Sequence, residues 1–465
     1  MLTVEKIGGT SMSQFHHVLK NIVHLPSDPE FRYGRVFVVS AYGSVTNMLL
    51  EDKKTKAPGI YAQFVEQQDY ESGVKELLEK LKIINEQFEE IGLNLSEANA
   101  FLMDRIELTI AYLNSMDKVI SSGYVDKKNI FLAARELLAS LGEAHSAFNM
   151  VNILKNNGIN AVFVDLTGFH DPSNCTIDQR ISSSFSAVDY KNNIVVATGY
   201  TRGTEGIMRE FDRGYSEITF SKIAVLLKAD EAIIHKEFHL SSADPQIVGL
   251  DKTIIVGNTN YDVADQLADV GMEAIHPKAS KPLERAGINL RIKNTFDPQN
   301  PGTLISKDYV GKDSKIEIIT GSDKVVVIEI HDASMVGQVG FDYEIMKIIK
   351  EHNVSYIMKA TNANSISMVI WENALSEELI QELEEVFVTV RVEKVAVVFL
   401  IGSNIAKPGV LAKAATVLAE NGINIHCISQ SLRQVNMQFV IDRELYTDAV
   451  ICLNWEMCFN SILTP

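Results

Sequence analysis

The chain has 465 residues, enough for two to four ordinary domains, and its 46% hydrophobic and 22% charged content is that of a folded globular protein. Sixty acidic residues against 43 lysines and arginines give a formal charge of −17, which argues against nucleic acid as the main partner, because phosphate backbones select basic faces. No apolar run is long enough to span a bilayer, the opening MLTVEKIGGTS lacks the apolar core of a secretory signal, and Cys175, Cys427, Cys452 and Cys458 form no CxxC, so a cytoplasmic chain with free thiols is expected.

In chain order, residues 2–7 predict a short strand running into Gly8-Gly9-Thr10-Ser11, and the mixed pattern over 13–23 predicts a helix. Val36-Phe37-Val38-Val39 predicts a second buried strand, ending at Ser40-Ala41-Tyr42-Gly43. From about 51 to 141 the pattern changes to long amphipathic segments, 74–91 and 98–120, read as a helical insertion. Gly142-Glu143 is expected to open a new helix after Leu141. Strand signals return at 161–165, 194–199, 232–234 and 290–293, so the rhythm is that of an α/β sheet. The Pro- and Gly-rich segment 297–306 marks a domain edge.

Beyond that edge lies an internal repeat. The run VVVIEI…GFDYEIMKIIKEHNVSYI…SISMVI from Val325 is echoed by VAVVFLI…GVLAKAATVLAENGINIHCI…NMQFVI from Val395. Each copy fits a ferredoxin-like βαββαβ unit, and two in tandem are expected over 313–388 and 392–465, after an α/β domain over 1–306. Taken from pattern alone, the pair could equally be purely structural.

Several short motifs carry chemistry. Lys6-Ile7-Gly8-Gly9-Thr10-Ser11 is a Gly-rich turn between strand and helix, where backbone N–H groups can approach a phosphate and Lys6 can add a cation. It matches neither a Walker loop nor a dinucleotide fingerprint, and the bland alternative is a plain tight turn. Ser40 and Thr46 can bind a polar ligand at the strand ends or simply cap a helix. Glu143 can receive an ammonium group or complement a helix dipole. Arg213 and Glu217 can hold the two ends of an amino acid, or form an ordinary i, i+4 pair. His235-Lys236-Glu237-Phe238-His239 is not the zincin motif, whose glutamate follows the first histidine directly, so no metal ligands are assigned.

These pieces fall in an order that resembles aspartokinases. The matching segments are KIGGTS at Lys6, VVSA before Thr46, Gly142-Glu143, TGY at Thr198, Arg213 to Glu217, Ala243-Asp244-Pro245 and Ile275-His276-Pro277, and the repeat is similar to the paired ACT domains of that family. The resemblance covers nearly the whole chain. It implies an amino-acid-kinase fold, a mostly parallel sheet between helical layers, followed by two ACT domains. It also implies transfer of the γ-phosphoryl of ATP to the β-carboxylate of L-aspartate with Mg²⁺, giving 4-phospho-L-aspartate. On that likeness Lys6, Gly8, Gly9, Thr10 and Ser11 serve the phosphates, with His235 and Lys236 at the nucleotide segment. Arg213 clamps the α-carboxylate, Glu143 takes the amino group, Ser40, Thr46 and Ser216 add hydroxyls, and Glu217 stands with Lys6 and Arg213 in the catalytic set. A homodimer or dimer of dimers through the ACT domains is implied, with no nucleic-acid or membrane partner.

The departures are informative. The family's Arg-Gly-Gly-Ser-Asp is Arg213-Gly214-Tyr215-Ser216-Glu217 here, its Trp-Thr-Asp-Val is Ile234-His235-Lys236-Glu237, its Asp-Pro-Arg is Asp244-Pro245-Gln246, and its Gly-Ala-Lys is Gly271-Met272-Glu273. KIGGTSMS, HKEFHLSSADP, TNYDVADQL and GMEAIHP together look like the divergent members associated with ectoine synthesis. The loop Met335 to Phe341 is similar to the family's effector loop, but Ser355-Tyr356-Ile357 stands where lysine-sensitive members have Ser-Val-Asp, so weak or absent inhibition by lysine is expected. The competing reading is an amino-acid-binding regulatory protein whose kinase site has decayed.

Overall fold

The computed structural model describes residues 1–24, 32–52, 55–211, 214–269 and 275–459. The chain folds into two units, Met1–His239 with Ile275–Gly302, and Leu240–Ala274 with Thr303–Pro465.

The strands of the first half and their connections are β1 (Thr3–Ile7), β2 (Arg35–Val39), β3 (Ala161–Val164), β4 (Ile194–Thr198), β5 (Glu231–Lys236), β6 (Asn258–Asn260), β7 (Asn289–Asn294) and β8 (Thr303–Ser306). In the first unit six of them form a parallel sheet in the order β3-β4-β2-β1-β5-β7. Val4, Val36, Val38, Val195, Val196, Ala232 and Leu290 are fully buried, as expected where helices cover both faces of a parallel sheet. Central β1 carries Lys6 in register with Val38 on β2 and Ile234 on β5. Strand ends therefore converge on one edge, where Gly8, Ser40 and Gly199 follow β1, β2 and β4.

Helices α1 (Gly9–Ser13) and α2 (Val45–Leu49) follow β1 and β2. The insertion is built from α3 (Tyr70–Glu86), α4 (Leu95–Ser121) and α5 (Lys127–Asn156), each begun by a side-chain cap, Asp69, Asn94 and Asp126. The expected helix start at Gly142 is not there: α5 runs straight through it. A Cβ at Gly142 would stand 2.7 Å from Ala41 Cβ and 2.9 Å from Val45 Cγ1. The glycine is a packing requirement that lets α5 lie against the loop after β2, not a break. Helices α6 (Ile207–Phe211), α7 (Tyr215–Leu226) and α8 (Pro277–Ala286) complete the parts used below.

The second unit holds the parallel pair β6–β8 and a six-stranded antiparallel sheet. That sheet contains β9 (Ile318–His331), β10 (Tyr356–Thr361), β11 (Ser365–Trp371), β12 (Thr389–Ile401), β13 (Cys427–Gln430) and β14 (Asn436–Asp442), in the order β10-β11-β9-β12-β14-β13. Helices α9 (Phe341–Glu351), α10 (Glu377–Val386), α11 (Val410–Glu420) and α12 (Tyr446–Leu453) supply the two βαββαβ helix pairs. The repeats are interleaved rather than simply consecutive. Residues 325–331 of β9 pair with β11 and with 389–395 of β12, whereas 318–322 pair with 397–401, so the second module takes a strand from ahead of the first. Two cores correspond: Val326, Ile328, Ile345, Met368 and Leu379 in one, and Ile319, Val398, Leu418, Phe439 and Leu453 in the other. Long strands that serve both modules weld them into one sheet.

Candidate active site

On the phosphate side, the Lys6 ammonium projects from β1 and meets Glu217 Oε1 at 3.3 Å, both side chains being largely shielded. The Glu217 carboxylate is also held from the other oxygen, where the His276 N–H donates to Oε2 at 2.7 Å. Burial works to raise the Glu217 pKa, but the charges of Lys6 and Lys236 with the His276 N–H outweigh it, and the group is held below its ordinary value. Lys236 thus acts on the same carboxylate as Lys6. The two-residue alternation of β5 puts His235 on the opposite face, 5% exposed, with Nε2 2.8 Å from Glu5 Oε2. The expectation that His235 serves the nucleotide is therefore not met: its ring is locked into a buried cluster with Glu5 and Arg35.

The Gly8-Gly9 turn passes tightly under the loop after β2. A Cβ on Gly9 would lie 2.5 Å from the Ala41 carbonyl oxygen, so only glycine allows the approach. Ser13 staples the two turns, its hydroxyl donating to the Gly9 carbonyl at 3.1 Å and accepting from the Gly43 N–H at 2.7 Å. Thr10 is exposed, whereas Ser11 is buried with its hydroxyl 3.0 Å from that of Thr295, leaving only its backbone for a ligand.

On the acceptor side, Glu143 is 2% exposed on the inner face of α5. Ser216 Oγ donates to Oε1 at 2.6 Å, and Oε2 is buried with no hydrogen-bond partner. Burial pushes the Glu143 pKa up to about 8, against the lowering effects of the Ser216 hydrogen bond and the Lys6 charge. A buried acceptor left without a partner is rare in a folded protein and marks a place where a donor can be received. Gly199 packs directly on this pair: a Cβ there would stand 2.9 Å from Ser216 Cβ and 3.1 Å from Glu143 Oε2. Ser40 and Thr46 are partly exposed, Ser40 directly after β2 and Thr46 on α2. Ser146, one turn along α5 from Glu143, donates its hydroxyl to the Ser40 carbonyl at 2.9 Å and so fixes that turn.

The structure thus brings Lys6, Glu217, Lys236, Gly8 and Gly9 to one edge of the sheet, and Glu143 and Ser216 to one buried pair. Arg213 and Glu273 lie outside the described residues. Sequence reasoning gave no role to Ser13, Ser146, Gly199 or the His276 N–H, although Ser13, Gly199 and His276 lie in the quoted motifs KIGGTSMS, TGY and IHP.

Among the described residues no three His, Cys, Asp or Glu side chains converge as a metal cage. A magnesium ion bound with a nucleotide needs only one or two carboxylates besides phosphates and water. Glu237, whose Oε1 lies 3.8 Å from where a Gly8 Cβ would stand, meets that need at the turn.

Residues 1–294 match the amino acid kinase family and residues 398–457 match an ACT domain. The chain is 46% identical over 461 residues to aspartate kinase Ask_Ect of Stutzerimonas stutzeri, covering 98% of this chain and 97% of that protein. It is 26% identical over 462 residues to the chloroplastic aspartokinase 1 of Arabidopsis thaliana, covering 94% of this chain and 77% of that one. Among solved structures, the Clostridium acetobutylicum aspartate kinase superposes with a TM-score of 0.73 at 23% identity, over 97% of this chain and 99% of that one. Escherichia coli aspartokinase III, solved with aspartate and ADP, gives a TM-score of 0.71 at 20% identity over 98% and 99%; at such identities both likenesses speak for the fold. With the parallel sheet, the interleaved ACT modules and a full-length relative at 46% identity, the chain belongs to the amino acid kinase family and, within it, to the aspartate kinases.

Proposed function

We propose that this chain transfers the γ-phosphoryl group of ATP to the β-carboxylate of L-aspartate, yielding 4-phospho-L-aspartate and ADP. The observation that carries the reading is the buried, open Oε2 of Glu143, set beside Ser216 and within the field of Lys6. It suits the α-ammonium of an amino acid, with Arg213 assigned to the α-carboxylate and Ser40, Thr46 and Ser216 to further polar contacts. The side chain of the acceptor then points to Lys6. Two anions must meet there, and Lys6, Lys236 and the N–H groups from Gly8 to Ser11 offset the charge that spreads over the phosphoryl oxygens. Glu217 holds Lys6 in place from below. No general base is needed, because the attacking carboxylate is ionised at neutral pH. Magnesium, held beside Glu237 and the phosphates, would supply further charge neutralisation.

The product is an acyl phosphate, and the likeness to Ask_Ect supports a place at the start of ectoine precursor synthesis or of aspartate-family amino acids. Residues 1–306 would be catalytic, and 313–388 and 392–465 regulatory, in a cytoplasmic homodimer or dimer of dimers. Ser355-Tyr356-Ile357 provides no carboxylate for a lysine amine, which supports weak inhibition by lysine.

The test is a hydroxamate assay with Mg²⁺-ATP and L-aspartate, alongside L-glutamate and a Lys6→Ala control. Aspartyl hydroxamate from the intact protein alone is expected. Aspartate binding without product would favour the decayed-kinase reading instead.

A further inference from the structure

Seven residues before Glu143, the same face of α5 carries a second partly buried carboxylate, Glu136. It receives three hydrogen bonds from two separate segments. Tyr200 Oη donates to Oε2 at 2.6 Å, while the Met208 N–H donates to Oε1 at 2.8 Å and the Arg209 N–H at 3.4 Å. Tyr200 directly follows Gly199, which packs on Glu143 and Ser216. Met208 and Arg209 belong to α6, which leads within a few residues to Ser216 and Glu217.

Further along, the segment is anchored by Arg202, whose N–H donates to the Leu166 carbonyl and whose carbonyl accepts from Arg180 Nε, so Glu136 is the tie that joins it to α5. Gly206 turns at φ +74°, and a Cβ there would come within 3.0 Å of Glu136 Oε1, so the loop is folded down onto this carboxylate. Glu136 and the 200–209 segment together line a cavity of about 770 Å³, closed also by Tyr112, Leu137 and Phe169. Tyr200 and Tyr215 meet edge to face at 6.0 Å, and the Thr201 and Thr219 hydroxyls at 3.1 Å, so a shift of the loop is passed to the start of α7, where Ser216 sits.

Resting on the kinase reading above, we infer that Glu136 is a positioning residue for the acceptor site: it ties Tyr200 and the start of α6 to α5, and thereby sets how Gly199 and Ser216 stand against Glu143. Discrimination against a substrate one methylene longer than aspartate is expected to depend on that placement. Small displacements of the groups that position an acceptor are costly to rate and lower discrimination.

The experiment compares wild type, Glu136→Ala, Glu136→Gln and Tyr200→Phe for hydroxamate formation with aspartate and with glutamate. For Glu136→Ala, the KM for aspartate is expected to rise about 30-fold and the aspartate-to-glutamate preference in kcat/KM to fall about tenfold, with the KM for ATP within about twofold of wild type. Glu136→Gln keeps an acceptor for the Met208 N–H and a polar partner for Tyr200, and should stay within about threefold of wild type on both measures. If Glu136→Ala does not fold, Tyr200→Phe decides, since it removes one hydrogen bond and keeps the ring against Tyr215; an increase of about fivefold in the aspartate KM with reduced preference is expected. An unchanged preference, or KM values for aspartate and ATP rising together, overturns the inference and leaves Glu136 a stabilising residue only. Calorimetric affinities for aspartate and glutamate separate the two readings. A wild type that binds aspartate without turnover overturns the kinase reading and leaves Glu136 measurable by affinity, while one that binds neither overturns both.

Discussion

Glu5 and Glu143 are both almost fully buried in the first unit, and their surroundings have opposite consequences. Glu5, on β1, accepts from Arg35 Nε at 2.6 Å and Nη2 at 2.8 Å, from Thr3 Oγ1 at 2.8 Å, and faces His235 Nε2 at 2.8 Å. Burial would raise its pKa, but the Arg35 charge and hydrogen bonds, with those of His235, hold it far below the usual carboxylate range. Glu143 has one hydroxyl on one oxygen and nothing on the other, and burial dominates, lifting it to about 8. A carboxylate whose acceptor sites are filled by the protein is part of the framework. One left open and poised near neutrality is ready for a ligand. The same residue type on neighbouring elements thus divides into scaffold and receptor by its partners, not by its burial.

The comparison can be broken from either side. The largest effect belongs to the Lys6 edge of the proposed site: Lys6→Met should lower kcat for aspartyl hydroxamate by about 10³-fold, since it removes a cation aimed at the transferring group, with little change in melting temperature. Next, Glu5→Gln should cost about 3–5 kcal/mol in denaturant unfolding by leaving Arg35 buried and under-paired. Its KM for aspartate should stay close to wild type. If that KM moved as far as in a Glu143 variant, the division into scaffold and receptor would be wrong. Glu143→Gln should raise the KM for aspartate about 10²-fold, because the ammonium loses a buried ionised partner, while chemical stability holds or improves.

The pH dependences sharpen the contrast further, because the two signs are opposite. Glu5 is depressed in the folded state, so its contribution is present above the unfolded carboxyl pKa and is lost as pH falls below it. Glu143 is raised, so its contribution is present in acid and lost as pH rises through about 8. Thermal melts across pH 4–9 should therefore lose their alkaline decline in Glu143→Gln and part of their acid decline in Glu5→Gln. Aspartate needs ionised Glu143, so its apparent affinity should increase by up to about tenfold per unit as pH approaches 8 from below, and binding at pH 7 should release a proton. Titration calorimetry in buffers of different ionisation enthalpy reads that release directly. A pH-independent affinity would remove Glu143 from the ammonium site.

Much of the fold was legible along the chain. The β-branched runs at 36–39 and 194–197, the amphipathic stretches of the insertion and the repeat from Val325 to Val395 all correspond to elements of the structure. Helix boundaries were less so: Gly142 looks like a break because its role is set by Ala41 and Val45, about a hundred residues away. The interleaving of the two ACT modules was also hidden, because periodicity reports a strand but not which two neighbours it serves along its length. Within the site, the short motifs marked Lys6, Glu143 and Glu217 as candidates, while Ser13 lies in a motif without a visible role and Ser146 and Glu136 act through contacts with residues far along the chain.

What the sequence by itself determined is therefore the order of elements, the family and the residue types available for two anions and an ammonium group, since hydrophobic period, glycine turns and motif order are properties of neighbouring residues. What only the tertiary structure decided is which of those residues is already satisfied. His235 and Lys236 are adjacent in the chain, yet the alternation of β5 sends one to Glu5 and the other to the field of Glu217. Glu5 and Glu143 are the same side chain, yet Arg35 closes one and nothing closes the other. Protonation and ligand readiness depend on partners brought together by folding, and that information has no local form in the chain.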